Sequence, residues 1–284
     1  EILPSETPAE VLEPQVIEVT PTVEIPVQTG EPVTVAAPTA SDRLATPTTE
    51  SPLLPQAVQT PRTRPATMKI TRPGPYSKVS SPINLEALIS PSEDRLVYLN
   101  VIGEDGRMIV SQILDFGSYN SQRFNISQKI PFQINSAAEL ARIELYIRDQ
   151  FNQVVQLVSV DVLLIQYGDS DETANEIELE PYLISSPGEG TLIKGGVLEV
   201  EGSARLVSDG PLIVELINEK GVVVGQGETR VSPPSESISH MPFQVTIPYT
   251  VEGRTRARLT LRQESTNRIP GTVWLLSSVV FLDP

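Results

Sequence analysis

The stretch Arg254-Thr-Arg-Ala-Arg-Leu-Thr-Leu-Arg262 concentrates the recognition chemistry of this chain. Side chains alternate along an extended strand, so Arg254, Arg256, Arg258 and Arg262 share one face while Ala257, Leu259 and Leu261 point to the other. Clustered guanidiniums suit carboxylate or phosphate recognition. Two readings follow. One is a binding strip for an acidic glycan, a teichoic-type polymer or the protein's own acidic linker. The other is a solvated strand face paired with neighbouring Glu.

Catalytic chemistry has little to draw on. His240 is the only histidine and lies in Ser237-Ile-Ser-His-Met-Pro242, a loop leading into a strand, with no Gly-x-Ser-x-Gly elbow in the chain. It reads as a loop histidine without a catalytic role. Cysteine is absent, which removes disulfides, thiolate zinc sites and cysteine nucleophiles together. There is no Gly-rich phosphate loop and no His-containing metal motif, so no enzyme and no cofactor are expected. Calcium is the one plausible metal. Asp169, Asp171 and Glu172 open an acidic run that fits only the first positions of an EF-hand loop and lacks its sharp-turn Gly. A solvated linker is the plainer reading. Trp274, the only Trp, reads as a core residue, and Tyr76, Tyr119 and Tyr182 are the aromatics a glycan groove would use. Asn125-Ile-Ser127 is a glycosylation sequon of a length expected by chance.

Three regions position these residues. Residues 1–67 form a Pro/Thr-rich acidic stalk, with Pro at 4, 8, 14, 21, 26, 32, 38, 47, 52, 55, 61 and 65, too close together for a helix of normal length. Such a segment is disordered or extended; at full stretch it would reach on the order of 200 Å. Within it Val16 to Val27 is rich in β-branched residues, and Val23, Ile25 and Val27 alternate with polar or Pro positions. That run is either plain spacer or a segment that adds as a strand to another domain's open edge.

From Met68 the texture becomes short alternating runs bounded by turn residues, over 68–72, 83–89, 96–102, 108–114, 130–135, 141–148 and 154–165, as in an all-β sandwich. Residues 68–166 form one such domain, 167–180 an acidic linker, and 181–284 a second domain that repeats the first. Lys69-Ile-Thr-Arg-Pro-Gly74 matches Leu183-Ile-Ser-Ser-Pro-Gly188, and Ile83-Asn-Leu-Glu-Ala87 matches Leu198-Glu-Val-Glu-Gly202. Ile130-Pro-Phe-Gln-Ile134 matches Met241-Pro-Phe-Gln-Val245, and Ala141-Arg-Ile-Glu-Leu145 matches Ala257-Arg-Leu-Thr-Leu261. The runs after Leu96 and Leu212 and the last strands at 154–165 and 273–282 also correspond. Asp105-Gly106 and Lys220-Gly221 sit where a hairpin needs positive φ, and Phe132 and Phe243 are expected core plugs.

Ile70-Thr-Arg-Pro-Gly-Pro-Tyr-Ser-Lys-Val-Ser-Ser-Pro82 resembles the start of the immunoglobulin-like domain of bacterial spore-germination and sporulation-associated proteins. So do Ile184 to Ala204 and the hairpin Val214 to Gly227. The resemblance spans both repeats, best in the second, and leaves out the stalk. It implies two tandem immunoglobulin-like β-sandwich domains, extracytoplasmic and bacterial, used as interaction or spacer modules, with no catalytic residues to carry over.

The net charge of −15 belongs to the connectors. Residues 1–67 carry nine acids against three Arg, and 167–180 six acids and no base, −6 each. The segments 68–166 and 181–282 each balance ten acids against nine bases, and Asp283 supplies the rest. Nearly neutral domains exclude the basic footprint of a nucleic-acid binder. No run approaches the ~18 apolar residues of a membrane helix, and a start at Glu1 rather than Met leads us to expect a removed leader or anchor, or a longer parent chain. The expected function is a non-enzymatic structural or interaction protein of a bacterial cell envelope. Its expected partners are other envelope proteins or copies of itself, with cell-wall glycan as the alternative.

Overall fold

The computed structural model describes residues 63–117, 123–234 and 239–284, together with the backbone of 15–18. Strand β1 (Gln15–Glu18) precedes an N-terminal sandwich of β2 (Lys69–Arg72), β3 (Lys78–Ser80), β4 (Ile83–Ile89), β5 (Leu96–Gly103), β6 (Met108–Asp115), β7 (Phe124–Ile130), β8 (Ala138–Arg148) and β9 (Val154–Ile165). A C-terminal sandwich follows, of β10 (Tyr182–Ser186), β11 (Leu192–Ile193), β12 (Val197–Ala204), β13 (Leu212–Asn218), β14 (Val223–Thr229), β15 (Met241–Pro248), β16 (Thr255–Glu264) and β17 (Thr272–Leu282).

Alternation decides which face is core. In β4, Ile83, Leu85, Ala87 and Ile89 are buried while Asn84 and Glu86 are exposed, and β12 does the same with Leu198 and Val200 against Glu199 and Glu201. The small sheets β2-β4-β7 and β10-β12-β15 face larger ones ordered β3-β9-β8-β5-β6 and β11-β17-β16-β13-β14. That strand order is the Greek-key sandwich of immunoglobulin-like domains. Gly106 and Gly221 turn the matched hairpins at φ 80° and 77°.

Duplication extends to the hydrogen-bond register, with one correction. Ile83 pairs with Ile130 and its counterpart Leu198 pairs with Ile247, so Ile130-Pro-Phe132 is equivalent to Ile247-Pro-Tyr249. The two Pro-Phe-Gln motifs are therefore not equivalent. The strand expected over 130–135 runs instead over Phe124–Ile130, ending where Pro131 removes a ladder donor. β15 keeps Pro242 because it is an edge strand. Phe132 and Phe243 are both buried, in different layers.

The acidic connector lies along the N-terminal sandwich. Lys78 and Asp171 exchange backbone bonds, Gly74 N–H donates to Thr173 O at 2.7 Å, and Ala66 N–H donates to Glu178 O at 3.0 Å. Its backbone is satisfied by the sandwich while Asp169, Asp171, Glu176 and Glu178 keep their carboxylates in water.

Candidate functional site

Two of the residues singled out for binding, Arg256 and Arg258, reach the joint between the sandwiches. β9 and β17 run antiparallel side by side, with Trp274 opposite Val158, Leu275 opposite Leu157 and Leu276 opposite Gln156. This fuses the two large sheets into one of eleven strands. Val158 pairs with Leu145 as Leu276 pairs with Leu261, so Leu157 and Leu275 are equivalent positions facing each other. The contact has the self-complementary form of a two-fold dimer interface, built within one chain.

Polar groups follow the same pseudo-two-fold. Ser159 Oγ donates to Val273 O at 2.8 Å, and its counterpart Ser277 Oγ donates to Val155 O at 2.7 Å. The equivalent arginines Arg142 and Arg258 are 0% and 4% exposed. Arg142 binds Asp161 beside it at 2.8 Å and donates across the joint to Ser265 Oγ at 2.8 Å and Pro270 O at 3.3 Å. Arg258 reaches in the opposite direction to Asp149, at the tip of the β8–β9 hairpin. Arg256 lies 3.4 Å from the same carboxylate and stacks over the Phe151 ring at 4.7 Å. Gln153 closes the tip by donating to Asn218 O. Each long hairpin thus rests on the other sandwich and is held there by an arginine.

Burial alone would raise the Asp149 pKa, yet the Arg258 hydrogen bond and charge, with the Gln153 and Phe151 amides, outweigh it and hold the carboxyl below its usual range. Glu144, on β8 between Arg142 and Tyr146, is governed by burial, which lifts it to about 7 against the pull of Arg142. Glu180 is also raised by burial, although it accepts from Thr67 N–H at 3.0 Å and from Gln156 Nε2 at 3.1 Å.

The arginine strand is thus bonded along most of its length. Arg262 holds Glu215 through two nitrogens at 2.9 and 3.1 Å and Glu264 at 2.6 Å. Arg254 is exposed, its guanidinium 5.5 Å from the Phe281 ring centre. Asp169, Asp171 and Glu172 do not converge: among the described residues no three His, Cys, Asp or Glu side chains form a metal-sized group. His240 is buried, with Nε2 2.9 Å from Glu180 O and Nδ1 2.9 Å from Ser239 Oγ. Trp274 is buried at the joint. Tyr182 is fully buried and donates to Gln263, whereas Tyr76 is 67% exposed at φ 58°. Tyr76 stands on a cleft of about 340 Å³ between the sandwiches, with Asp161, Asn175, Asp209, Asn267 and Trp274 on its walls. Tyr119, Val23, Ile25 and Val27 lie outside the described residues. From the same Val-rich region, Gln15–Glu18 pairs in parallel with β6, Val16 opposite Ile113.

No protein-family model and no curated protein sequence matches the chain. Among solved structures it is similar to the fibronectin(III)-like modules of Clostridium thermocellum CbhA, at 14% identity and TM-score 0.22, over 76% of this chain and 93% of that one. It is also similar to the titin domains Z1Z2, solved with telethonin, at 11% identity and TM-score 0.19, over 79% and 97%. A third is Dpr2 Ig1-Ig2, solved with DIP-Theta, at 10% identity and TM-score 0.21, over 76% and 99%. Overlap this slight carries nothing about partners. The immunoglobulin-like assignment rests on the strand order.

The spacing of arginines on one strand does not point to Asp149, Asp161 or Arg142. One signal was available: Ala141-Arg-Ile-Glu-Leu145 and Ala257-Arg-Leu-Thr-Leu261 carry an arginine at the same repeat position. An arginine kept in both copies on a strand otherwise apolar at the core marks a shared structural contact.

Proposed function

We propose that this chain is a non-enzymatic structural and interaction protein of a bacterial cell envelope, in which the N-terminal Pro/Thr-rich segment carries a stiff two-domain body. The observation that supports it is the joint. A shared sheet with two buried arginines gripping opposite hairpins fixes the angle between the sandwiches, as a spacer or display module requires and as a flexibly linked pair would not. The resemblance to immunoglobulin-like domains of spore-germination and sporulation-associated proteins agrees with an extracytoplasmic bacterial role. Protease treatment of intact cells of the source organism is expected to remove the domains while a cytoplasmic marker survives. Protection equal to that marker's would overturn the reading.

The cleft at Tyr76 supports one alternative, binding of a neutral glycan between the sandwiches, because an exposed ring beside carboxylates and amides suits sugar faces and hydroxyls. Glycan-array binding abolished by Tyr76→Ala is its expected signature. A blank array, or one unchanged by the substitution, would sink it.

A further inference from the structure

The two copies treat one sheet edge differently. β6 and β14 are equivalent edge strands, because Leu99 pairs with Gln112 and Val101 with Val110 as Val214 pairs with Gly227 and Leu216 with Gly225. In the C-terminal sandwich a Cβ on Gly225 would lie 2.8 Å from Pro248 O, and one on Gly227 would lie 2.7 Å from Val245 Cγ1. Lacking side chains there, β14 lets the opposite sheet close over it. Gly225 bridges Tyr249, and Thr250 N–H donates to Val224 O at 3.1 Å. In the N-terminal sandwich the same positions are Val110 and Gln112, both buried. Side chains at these positions hold the small sheet off, and among the described residues no bridge joins β6 to β7. An edge left open in this way presents unpaired N–H and C=O groups to any strand that can reach it.

The strand that occupies it comes from far along the chain. Gln15–Glu18 pairs in parallel register, Gln15 with Gln112, Val16 with Ile113, Ile17 with Leu114 and Glu18 with Asp115. The pairing is only four residues long, against seven for β5 with β6, and so is weakly held. The connection back to the sandwich runs through the 46 residues 19–64, eight of them Pro. Over so long a connection the chain's own segment has a modest effective concentration, and a neighbour's identical segment makes identical contacts.

We propose that the β6 edge is a strand acceptor that exchanges Gln15–Glu18 between copies, the segment of one chain adding to β6 of a second in the same register. The proposal rests on the reading of this chain as an envelope display protein in that dense arrays favour the exchange. The equivalent β14 edge is bonded to the opposite sheet at Val224 and Gly225, beside the stretch that matches 112–115, and is left out of the exchange, so each copy accepts one strand and donates one. That head-to-tail relation builds open chains as well as closed pairs.

The absence of Cys makes a disulfide trap clean. Full-length chains carrying Val16→Cys and Ile113→Cys separately, distinguished by tags, are mixed and mildly oxidised. In the dilute regime the cross-linked fraction is expected to rise about tenfold for a tenfold rise in concentration, by mass action. A Val16→Cys chain mixed with a Val223→Cys chain, whose cysteine lies on the exposed part of β14, measures random collision. Cross-linking no greater than this control at every concentration overturns the proposal. So does a doubly substituted Val16→Cys/Ile113→Cys chain that closes only on itself at all concentrations. Small-angle scattering of the same samples separates the two ideas. A stiff body with no exchange leaves the display reading standing, whereas two independently moving sandwiches would remove it whatever the cross-links show.

Discussion

Replacing Asp149 by Ala tests the joint at a buried charge pair that crosses it. The Arg258 and Asp149 side chains are 5% and 11% exposed, so truncating the acid strands a guanidinium in the interface rather than returning it to water. Breaking a buried pair from one side costs about 3–5 kcal/mol. Asp149 Oδ1 also accepts from the Phe151 and Gln153 amides at 2.9 and 3.0 Å, which places the expected loss in the upper half of that range. Trp274, the only Trp, is buried at the joint and reports on it by fluorescence. With a urea slope near ~2 kcal/mol/M, the midpoint falls by roughly 2 M. The sign with pH is fixed by the depressed Asp149 pKa. Its stabilisation is complete above the usual carboxylate range and is lost as pH falls through the depressed value, so wild type and variant converge in strong acid. A loss below ~1 kcal/mol at pH 7, the size of an exposed pair, would refute the reasoning. So would a difference that stays constant down to pH 2.

Glu144 titrates in the opposite sense. With its pKa raised from 4.5 to about 7, the folded state binds an extra proton between those values, so stability falls as pH rises through that window. Glu144→Gln is expected to be close to neutral at pH 4.5 and stabilising by up to ~3 kcal/mol at pH 8, measured by urea unfolding across pH; a flat difference argues against the burial account. Gly202→Ala places a Cβ 2.1 Å from Leu183 O and 2.7 Å from the Phe243 ring, an overpacking expected to cost about 3 kcal/mol or more. A melting temperature within 2 °C of wild type, about the shift that 1 kcal/mol gives, would contradict that geometry. Ser159→Ala removes one cross-joint hydrogen bond and should cost about 1 kcal/mol, whereas Ser277→Ala also removes the acceptor of Arg258 Nη1 and should cost about 2 kcal/mol. Equal losses in the same unfolding assay would show that the Arg258 bond to Ser277 adds nothing to the joint.

Local pattern carried much of the architecture. The alternation of β4, β5 and β8, the turn glycines Gly106 and Gly221 and the order of the repeated blocks are readable residue by residue, because strand period and positive φ are properties of short segments. It failed at the Pro-Phe-Gln motifs, where similar tripeptides stand at different registers, since register is set by the partner strand and not by the motif. It also gave no sign of β3 or β11, which are too short to alternate and exist because β9 and β17 offer an edge. The face of Arg254, Arg256, Arg258 and Arg262 follows from strand period, but what that face meets does not. Asp149 lies 109 residues before Arg258. It arrives there only because β9 and β17 pair edge to edge, which carries each hairpin tip onto the other sandwich. The sequence by itself determined two copies of one all-β fold behind a Pro-rich segment. Only the tertiary structure decided that Arg256 and Arg258 close a joint within the chain, because pairing between sheet edges depends on backbone groups that every residue shares and no side-chain pattern spells out.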